Sequence, residues 1–262
     1  MSRRIASLIA AIAVVAILYS SLASADTRVV GNLQLSVSAR LSPKRLPRDR
    51  RSPTAVAVGW KIASTDPALE PPALKTVKIE INRHGALDST GLPTCPYAKI
   101  QPASTARALA NCRSSLVGKG TFSAQVGLEG QERYVSQGKM LVFNGAKGGK
   151  PVLFGQIYTA YPFAASFVIV FAVGQRTHGA YGATLTAKLP PNLRAWGNLT
   201  EVEMRLARRF SYRGERRSFL SAACPTPKGF TAAPFRLAKM RFAFLGGAGV
   251  SSTLTETCKV RR

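Results

Sequence analysis

The side chains best suited to chemistry in this chain are arginines, and they fall in two clusters. Guanidinium groups bind phosphate or carboxylate oxygens through paired hydrogen bonds, so each cluster predicts a site for anions. The predicted anion-binding patch comprises Arg205, Arg208, Arg209, Arg213, Arg216 and Arg217. The second basic loop comprises Lys44, Arg45, Arg48, Arg50 and Arg51, with Arg40 just before it. Regular strand pairing through the first cluster would place Arg209, Arg213 and Arg217 on one face.

The net charge of the chain is strongly positive. Its 262 residues include 37 Lys+Arg against 12 Asp+Glu, which gives a formal net charge of +25. Such a field attracts polyanions at low salt and is screened beyond about 8 Å at physiological ionic strength. The predicted partners are anionic cell-wall or surface polymers, nucleic acid only non-specifically, and a membrane only if the N-terminal segment is retained. The alternative is that the arginine excess reflects a high-GC genome and a solvated surface.

Residues for acid–base or metal chemistry are scarce. Glu80, Asn82 and His84 alternate along one predicted strand, which suits a base with its orienting partner but is more typical of a solvent-facing strand end. Glu201 and Glu203 share a strand face with a neighbouring arginine, which indicates ion pairs rather than a glycosidase dyad. The sequence has no CxxC spacing and no His near a Cys. We therefore predict no catalytic residue, no metal and no cofactor.

The elements that must position these residues are mostly β-strands. Apolar and polar residues alternate over 33–41, 76–82, 201–206 and 240–244, as in strands with one buried and one wet face. Further strands are predicted over 54–63, 119–128, 139–144, 151–159, 164–174, 180–189 and 249–258, separated by turn signals such as Arg213-Gly214 and Pro190-Pro191. The predicted fold class is all-β: an antiparallel β-sandwich, either one large sandwich or two stacked β lobes. One short helix is predicted near 106–116, capped by Ser104 or Thr105.

The N-terminus has the pattern of an export signal. Arg3 and Arg4 precede an apolar run from Ile5 to Leu18, and Ala23-Ser24-Ala25 supplies the small residues of a cleavage site. We predict a signal peptide over 1–25, cleaved after Ala25, and hence a secreted or extracytoplasmic protein; retention as a membrane anchor is the alternative. The remaining chain divides into an N-terminal β region over 26–128, a connector over 129–138 and a C-terminal β region over 139–262, although 26–262 could form one continuous domain.

The four cysteines agree with export. An even number of cysteines in an exported chain indicates two disulfides, which can pair in three ways. We favour the sequential pairing, Cys95–Cys112 and Cys224–Cys258, because the two pairs lie far apart along the chain. Closing these loops would contribute about 3 and about 4 kcal/mol in the chain-entropy model.

Three segments together resemble a group of uncharacterised secreted, β-rich proteins of high-GC bacteria. They are 81–120, which contains LPTCPYAKIQPASTARALANC; 212–230, which contains SFLSAACPTPKGF; and the ending SSTLTETCKV. The resemblance covers most of the chain after the export signal. It implies export and disulfides, and it assigns no activity and no site residue.

The sequence therefore predicts a secreted or cell-surface, non-enzymatic β protein. It would act as a binding or structural module with affinity for anionic polymers or surfaces. The alternative is an extracytoplasmic carbohydrate-active or other hydrolase on a β-sandwich. That hydrolase would draw its carboxylates from Glu80, Asp88, Glu201 and Glu203, and its sugar-stacking aromatic residues from Trp60, Tyr158, Tyr161 and Trp196.

Overall fold

The computed structural model of the protein describes residues 24–127, 132–161, 163–176 and 178–261. The predicted export signal, apart from Ser24 and Ala25, lies outside these ranges. The predicted connector at 129–138 is shorter than expected, because a strand already begins at Tyr134; residues 129–131 lie outside the described ranges.

Strands dominate the described residues. In chain order they are β1 Ser24–Val30, β2 Leu33–Ser42, β3 Arg45–Leu46, β4 Ser52–Pro53, β5 Ala55–Ser64, β6 Leu74–Asn82, β7 Gly85–Leu87, β8 Leu116–Val126, β9 Tyr134–Lys147, β10 Lys150–Thr159, β11 Ala165–Gln175, β12 Tyr181–Lys188, β13 Gly197–Leu206, β14 Arg209–Tyr212, β15 Glu215–Ser218, β16 Leu220–Ala222, β17 Ala232–Phe244 and β18 Gly249–Val260. The helices are α1 Thr105–Cys112 and α2 Pro191–Trp196, with short 3-10 turns at Tyr97–Lys99 and Arg113–Ser115.

One large curled sheet organises the molecule. Within the described residues its strand order is β1-β2-β5-β13-β8-β9-β10-β11-β12-β6-β17-β18-β3, and a two-stranded β14-β15 and a three-stranded β4-β16-β7 sheet flank it. The sheet folds over onto itself: the ring of Trp60 on β5 lies 5.9 Å from that of Phe242 on β17. Strands at the two edges of the sheet also meet: the Ser252 hydroxyl on β18 donates to the Asp26 carboxylate on β1 at 2.6 Å. The predicted all-β, sandwich-like fold is confirmed.

The main core fills the space inside the curl. Along β2 the residues Leu33, Leu35 and Val37 are buried and alternate with polar residues that face outward, as the period of two requires. The same alternation on the neighbouring strands joins these residues into one apolar cluster. Each leucine or phenylalanine buried in this way contributes about 1.5–3 kcal/mol, so the inward face fixes the register of every strand.

A second, smaller core lies under helix α1. Apolar side chains of β9, β10 and β11, including Phe143 and Phe154, pack against Ile100 and Ala108. The helix begins where predicted, because the Ser104 side chain accepts a hydrogen bond from the Arg107 amide. It ends at Cys112, shorter than the predicted 106–116.

Both disulfides have the predicted pairing. Cys95–Cys112 fastens α1 to the loop beside it, and Cys224–Cys258 joins the segment after β16 to β18. All four cysteines are buried, and the structure contains no free thiol among its described residues.

The antiparallel connections give the molecule two ends of different character. At one end lie the turns β1–β2, β5–β6, β10–β11 and β17–β18, and we call it the apolar end. Its exposed apolar side chains are Val29, Val30, Leu69, Val135, Tyr161, Phe163 and Leu245. At the opposite end lie the β2–β5 and β13–β17 connections, which contain both arginine clusters, and we call it the basic end.

Candidate anion-binding site

Three cations lie in one row across the outer face of the sheet. Strand pairing places Arg40 opposite Ala57, Ala57 opposite Arg205, and Arg205 opposite Lys119. Directly paired residues of antiparallel strands point to the same face, so these side chains emerge side by side. Neighbouring strands are about 4.8 Å apart, which puts the Cα atom of Arg40 about 10 Å from that of Arg205. The Cα atom of Lys119 lies about 5 Å further along the row. All three are exposed, and we call them the cation row.

The cation row borders a shallow groove of about 490 Å³. Ala57 and Gly59 form part of its lining, and a side chain at Gly59 would approach the Ser38 hydroxyl to 2.9 Å. The groove therefore exists because residues between the cations are small. Glu203 is the acidic residue in its lining.

The groove continues towards the basic end through two adjoining depressions. The first, of about 300 Å³, shares Arg205 with the groove and adds Arg208 and Arg209. The second, of about 480 Å³, shares Arg209 and adds Arg216 and Arg217. We call the whole tract the basic groove; its cations are Arg40, Lys119, Arg205, Arg208, Arg209, Arg216 and Arg217.

The arginines of the β14–β15 hairpin do not share one face, so that prediction is wrong. Arg213 and Gly214 form the two-residue turn, with φ of 51° and 78°, the positive values that this class of tight hairpin turn requires. Pairing then sets Arg209 opposite Ser218 and Phe210 opposite Arg217, so Arg209 and Arg217 lie on opposite faces.

Two members of the predicted patch have partners within the protein. Arg217 pairs with Asp88 at 3.3 Å and Glu215 at 3.1 Å, and its guanidinium lies 5.6 Å from the centre of the Tyr212 ring. Arg213 lies over the same ring at 5.2 Å. The hairpin thus contributes Arg209, Arg216 and Arg217 to the lining of the groove, but the charge of Arg217 is already paired within the protein.

The second basic loop is tied down rather than gathered into one surface. Lys44 pairs with buried Glu256 at 3.4 Å, and Arg48 donates to the Phe230 carbonyl at 2.7 Å. Arg45 lies in β3, which pairs with β18, and Arg50 is exposed. Arg51 turns away from the others and donates to the Arg83 carbonyl at 3.1 Å.

Glu80 is buried, in contrast to the solvent-facing position predicted for it. Its carboxylate is 1% exposed and lies 3.0 Å from Arg241, 3.3 Å from Arg176 and 3.8 Å from Lys78. Lys78 lies on the same strand as Glu80, whereas Arg241 on β17 and Arg176 in the β11–β12 connection are brought to it by pairing that no local pattern reveals. Glu80 is thus a charge-paired structural residue.

Asn82 and His84 are likewise engaged in the chain's own turn. The Asn82 amide donates to the Arg236 carbonyl, and its side-chain oxygen accepts from the His84 backbone amide at 2.9 Å. Burial, followed by the charges of Arg83 and Arg51, lowers the pKa of His84.

Two carboxylates named for the hydrolase alternative share a depression, but neither of its tryptophans lines it. Glu201 and Glu203 border one open depression of about 300 Å³, next to the cation row. Trp60 is buried in the core, and the ring of Trp196 packs against that of Phe167 with 5.3 Å between the ring centres. Tyr161 is 72% exposed at the apolar end, and Tyr158 lies on β10. The hydrolase alternative stays a prediction that this arrangement does not favour.

A second basic face was missed from the sequence. Outward positions of β6 and β17 carry Lys78, Lys239 and Arg241 around Glu80. Period-two alternation gave the outward direction of each residue, but only the pairing of β6 with β17 brings them together.

Within the described ranges the structure contains no group of three His, Cys, Asp or Glu side chains that could hold a metal ion. It also contains, over the same residues, no helix with the length and apolarity needed to cross a membrane.

Comparison of the chain with protein-family models, with curated proteins and with solved structures finds no match. The fold and the site themselves define the class of this protein: it is all-β and disulfide-linked, with a cationic groove on its sheet.

Proposed function

We propose that the protein is an extracytoplasmic, non-enzymatic module that binds anionic polymers or surfaces through the basic groove. The observation that carries the proposal is the cation row, in which Arg40, Arg205 and Lys119 project from three different strands of one rigid sheet. Cations carried on paired strands keep their backbone spacing without a ligand, so binding must order side chains but not the backbone.

The form of the groove favours a linear polymer over a small ligand. The three depressions adjoin one another through shared arginines and run from the middle of the sheet to the hairpin. A chain with an anionic group every few ångströms can contact successive cations along this tract, whereas a small anion would contact only one or two. Several phosphate or carboxylate contacts in series give binding that is strong at low salt and weak at high salt.

The environment of the protein fits such a ligand. Two buried disulfides indicate that the chain matures in an oxidising, extracytoplasmic compartment. Wall phosphate polymers, acidic glycans and anionic lipid headgroups occur there.

Retention on an immobilised polyanion tests the proposal. The full chain is applied to a heparin or polyphosphate matrix and eluted with a salt gradient, alongside a variant with Arg40→Gln, Lys119→Gln and Arg205→Gln. The matched control, Lys99→Gln with Arg107→Gln and Lys150→Gln, removes the same number of exposed charges from outside the groove. We expect the groove variant to elute at clearly lower salt than the control. Equal elution of the two variants would show that net charge alone causes retention and would refute the groove.

A further inference from the structure

A second, smaller cleft lies at the basic end, apart from the basic groove. Arg51, Arg83 and Arg176 line it, and its volume is about 270 Å³. Gly85 and Gly182 form part of its wall, and a side chain at Gly182 would approach the Arg83 backbone to 3.1 Å. The arginines come from three separate connections, β2–β5, β6–β7 and β11–β12, so the fold, not local sequence, assembles the cleft.

The cleft has an excess of positive charge. Among the described residues none of those lining it is acidic. Glu80 pairs with Arg176 at 3.3 Å but also pairs with Arg241 and Lys78. One carboxylate shared among three cations leaves most of the charge of Arg176 uncompensated, and Arg51 and Arg83 add to it.

The hydrogen bond from Arg51 to the Arg83 carbonyl ties the two arginine-bearing connections together. One Arg51 nitrogen is used in this bond, and a guanidinium carries five donors in a fixed fork. The remaining donors stay available in a partly preorganised position, which lowers the entropic cost of binding an anion.

We propose that this cleft is a binding site for a single phosphate group, either free or at the end of a larger molecule. A dianionic, tetrahedral phosphate accepts hydrogen bonds from several guanidinium groups at once, which a planar carboxylate does less completely. The site differs from the basic groove in its residues and ligand, since it holds one compact anion rather than a polymer.

His84 provides a built-in reporter of occupancy. It follows Arg83 in the chain, and Arg83 and Arg51 contribute, after burial, to the lowering of its pKa. A bound phosphate would offset the charge of both arginines, so the pKa of His84 would rise back towards the usual imidazole range.

The test is an NMR titration of the full chain with inorganic phosphate, with sodium chloride at matched ionic strength as the reference. We expect a saturable rise in the pKa of His84 with phosphate and none with chloride. Calorimetry on the Arg83→Gln variant should show affinity for phosphate reduced about tenfold or more, as expected for loss of a charged hydrogen bond. The Arg107→Gln control, on helix α1, should bind phosphate like the unmodified protein.

Equal effects of phosphate and chloride on His84 would overturn the proposal, and so would saturable phosphate binding that Arg83→Gln leaves intact. The groove variant with Arg40→Gln, Lys119→Gln and Arg205→Gln separates the two proposals. It should keep phosphate binding at the cleft while losing retention on the polyanion matrix. Loss of phosphate binding in the groove variant alone would place the phosphate in the groove and refute the cleft. Circular dichroism of each variant verifies that it is folded.

Discussion

Replacing the cation row should change how steeply the binding of a polyanion depends on salt. Duplex DNA is a convenient probe, because its charge spacing is known and its binding here is expected to be independent of sequence. Each cation that neutralises a phosphate releases about 0.9 counterions. Arg40, Lys119 and Arg205 are exposed and lie within about 15 Å along one row, so all three can contact one duplex. For the variant with all three changed to Gln, the negative slope of log K against log salt should therefore become less steep by about 2 to 3.

Fluorescence anisotropy of a labelled short duplex, measured over a series of salt concentrations below the physiological value, gives this slope directly. Two duplexes of different sequence should give the same result, since contacts to phosphates carry no base information. The control variant with Lys99, Arg107 and Lys150 changed to Gln should leave the slope nearly unchanged. The reasoning fails if the groove variant keeps the original slope, or if the control reduces it by the same amount.

Three further predictions concern the scaffold. Glu80→Gln should lower the free energy of unfolding in urea by about 1–3 kcal/mol, because three partly exposed cations lose their shared carboxylate; an unchanged midpoint would contradict this role. Gly120→Ala should destabilise by about 1–3 kcal/mol or more, because the added carbon meets the backbone of the adjacent strand; a variant that melts like the original would show that the strands can separate. The hydrogen bond from Ser252 is the main cause that lowers the pKa of Asp26 in the folded protein. The stability that this bond contributes is therefore fully present above about pH 4, and it is lost as the pH falls through the lowered pKa of Asp26. Asp26→Asn should therefore lower the melting temperature at pH 7 but not in strong acid, and a pH-independent difference would refute the linkage.

Local patterns in the sequence predicted the elements well. Of the eleven longer strands after β1, four follow from alternation of apolar and polar residues and seven were predicted as segments between turn signals; α1 follows from a capping serine. Pairing of Cys95 with Cys112 was also predictable, because the two lie close along the chain. Helix α2 was missed because Pro190-Pro191 was interpreted as a turn, whereas proline at the first helical position also starts helices.

The arrangement of the site depended on long-range pairing and was less predictable. Alternation shows that Arg40, Lys119 and Arg205 point outward, but only the order β2-β5-β13-β8 places them in one row. Arg217 looked equivalent to Arg209 in the sequence, yet the turn at Arg213 sends it to the opposite face, where it meets Asp88. Partners that come from distant segments decide whether an arginine is available to a ligand.

The separation of the basic end from the apolar end has a consequence for a surface coated with the protein. Molecules that adsorb through the arginines of the basic end would all stand in the same orientation. Each would then present the opposite turns, with Tyr161 and Phe163 at their tips, to the surrounding water. A dense layer of this kind would change a wettable, negatively charged boundary into one studded with aromatic rings.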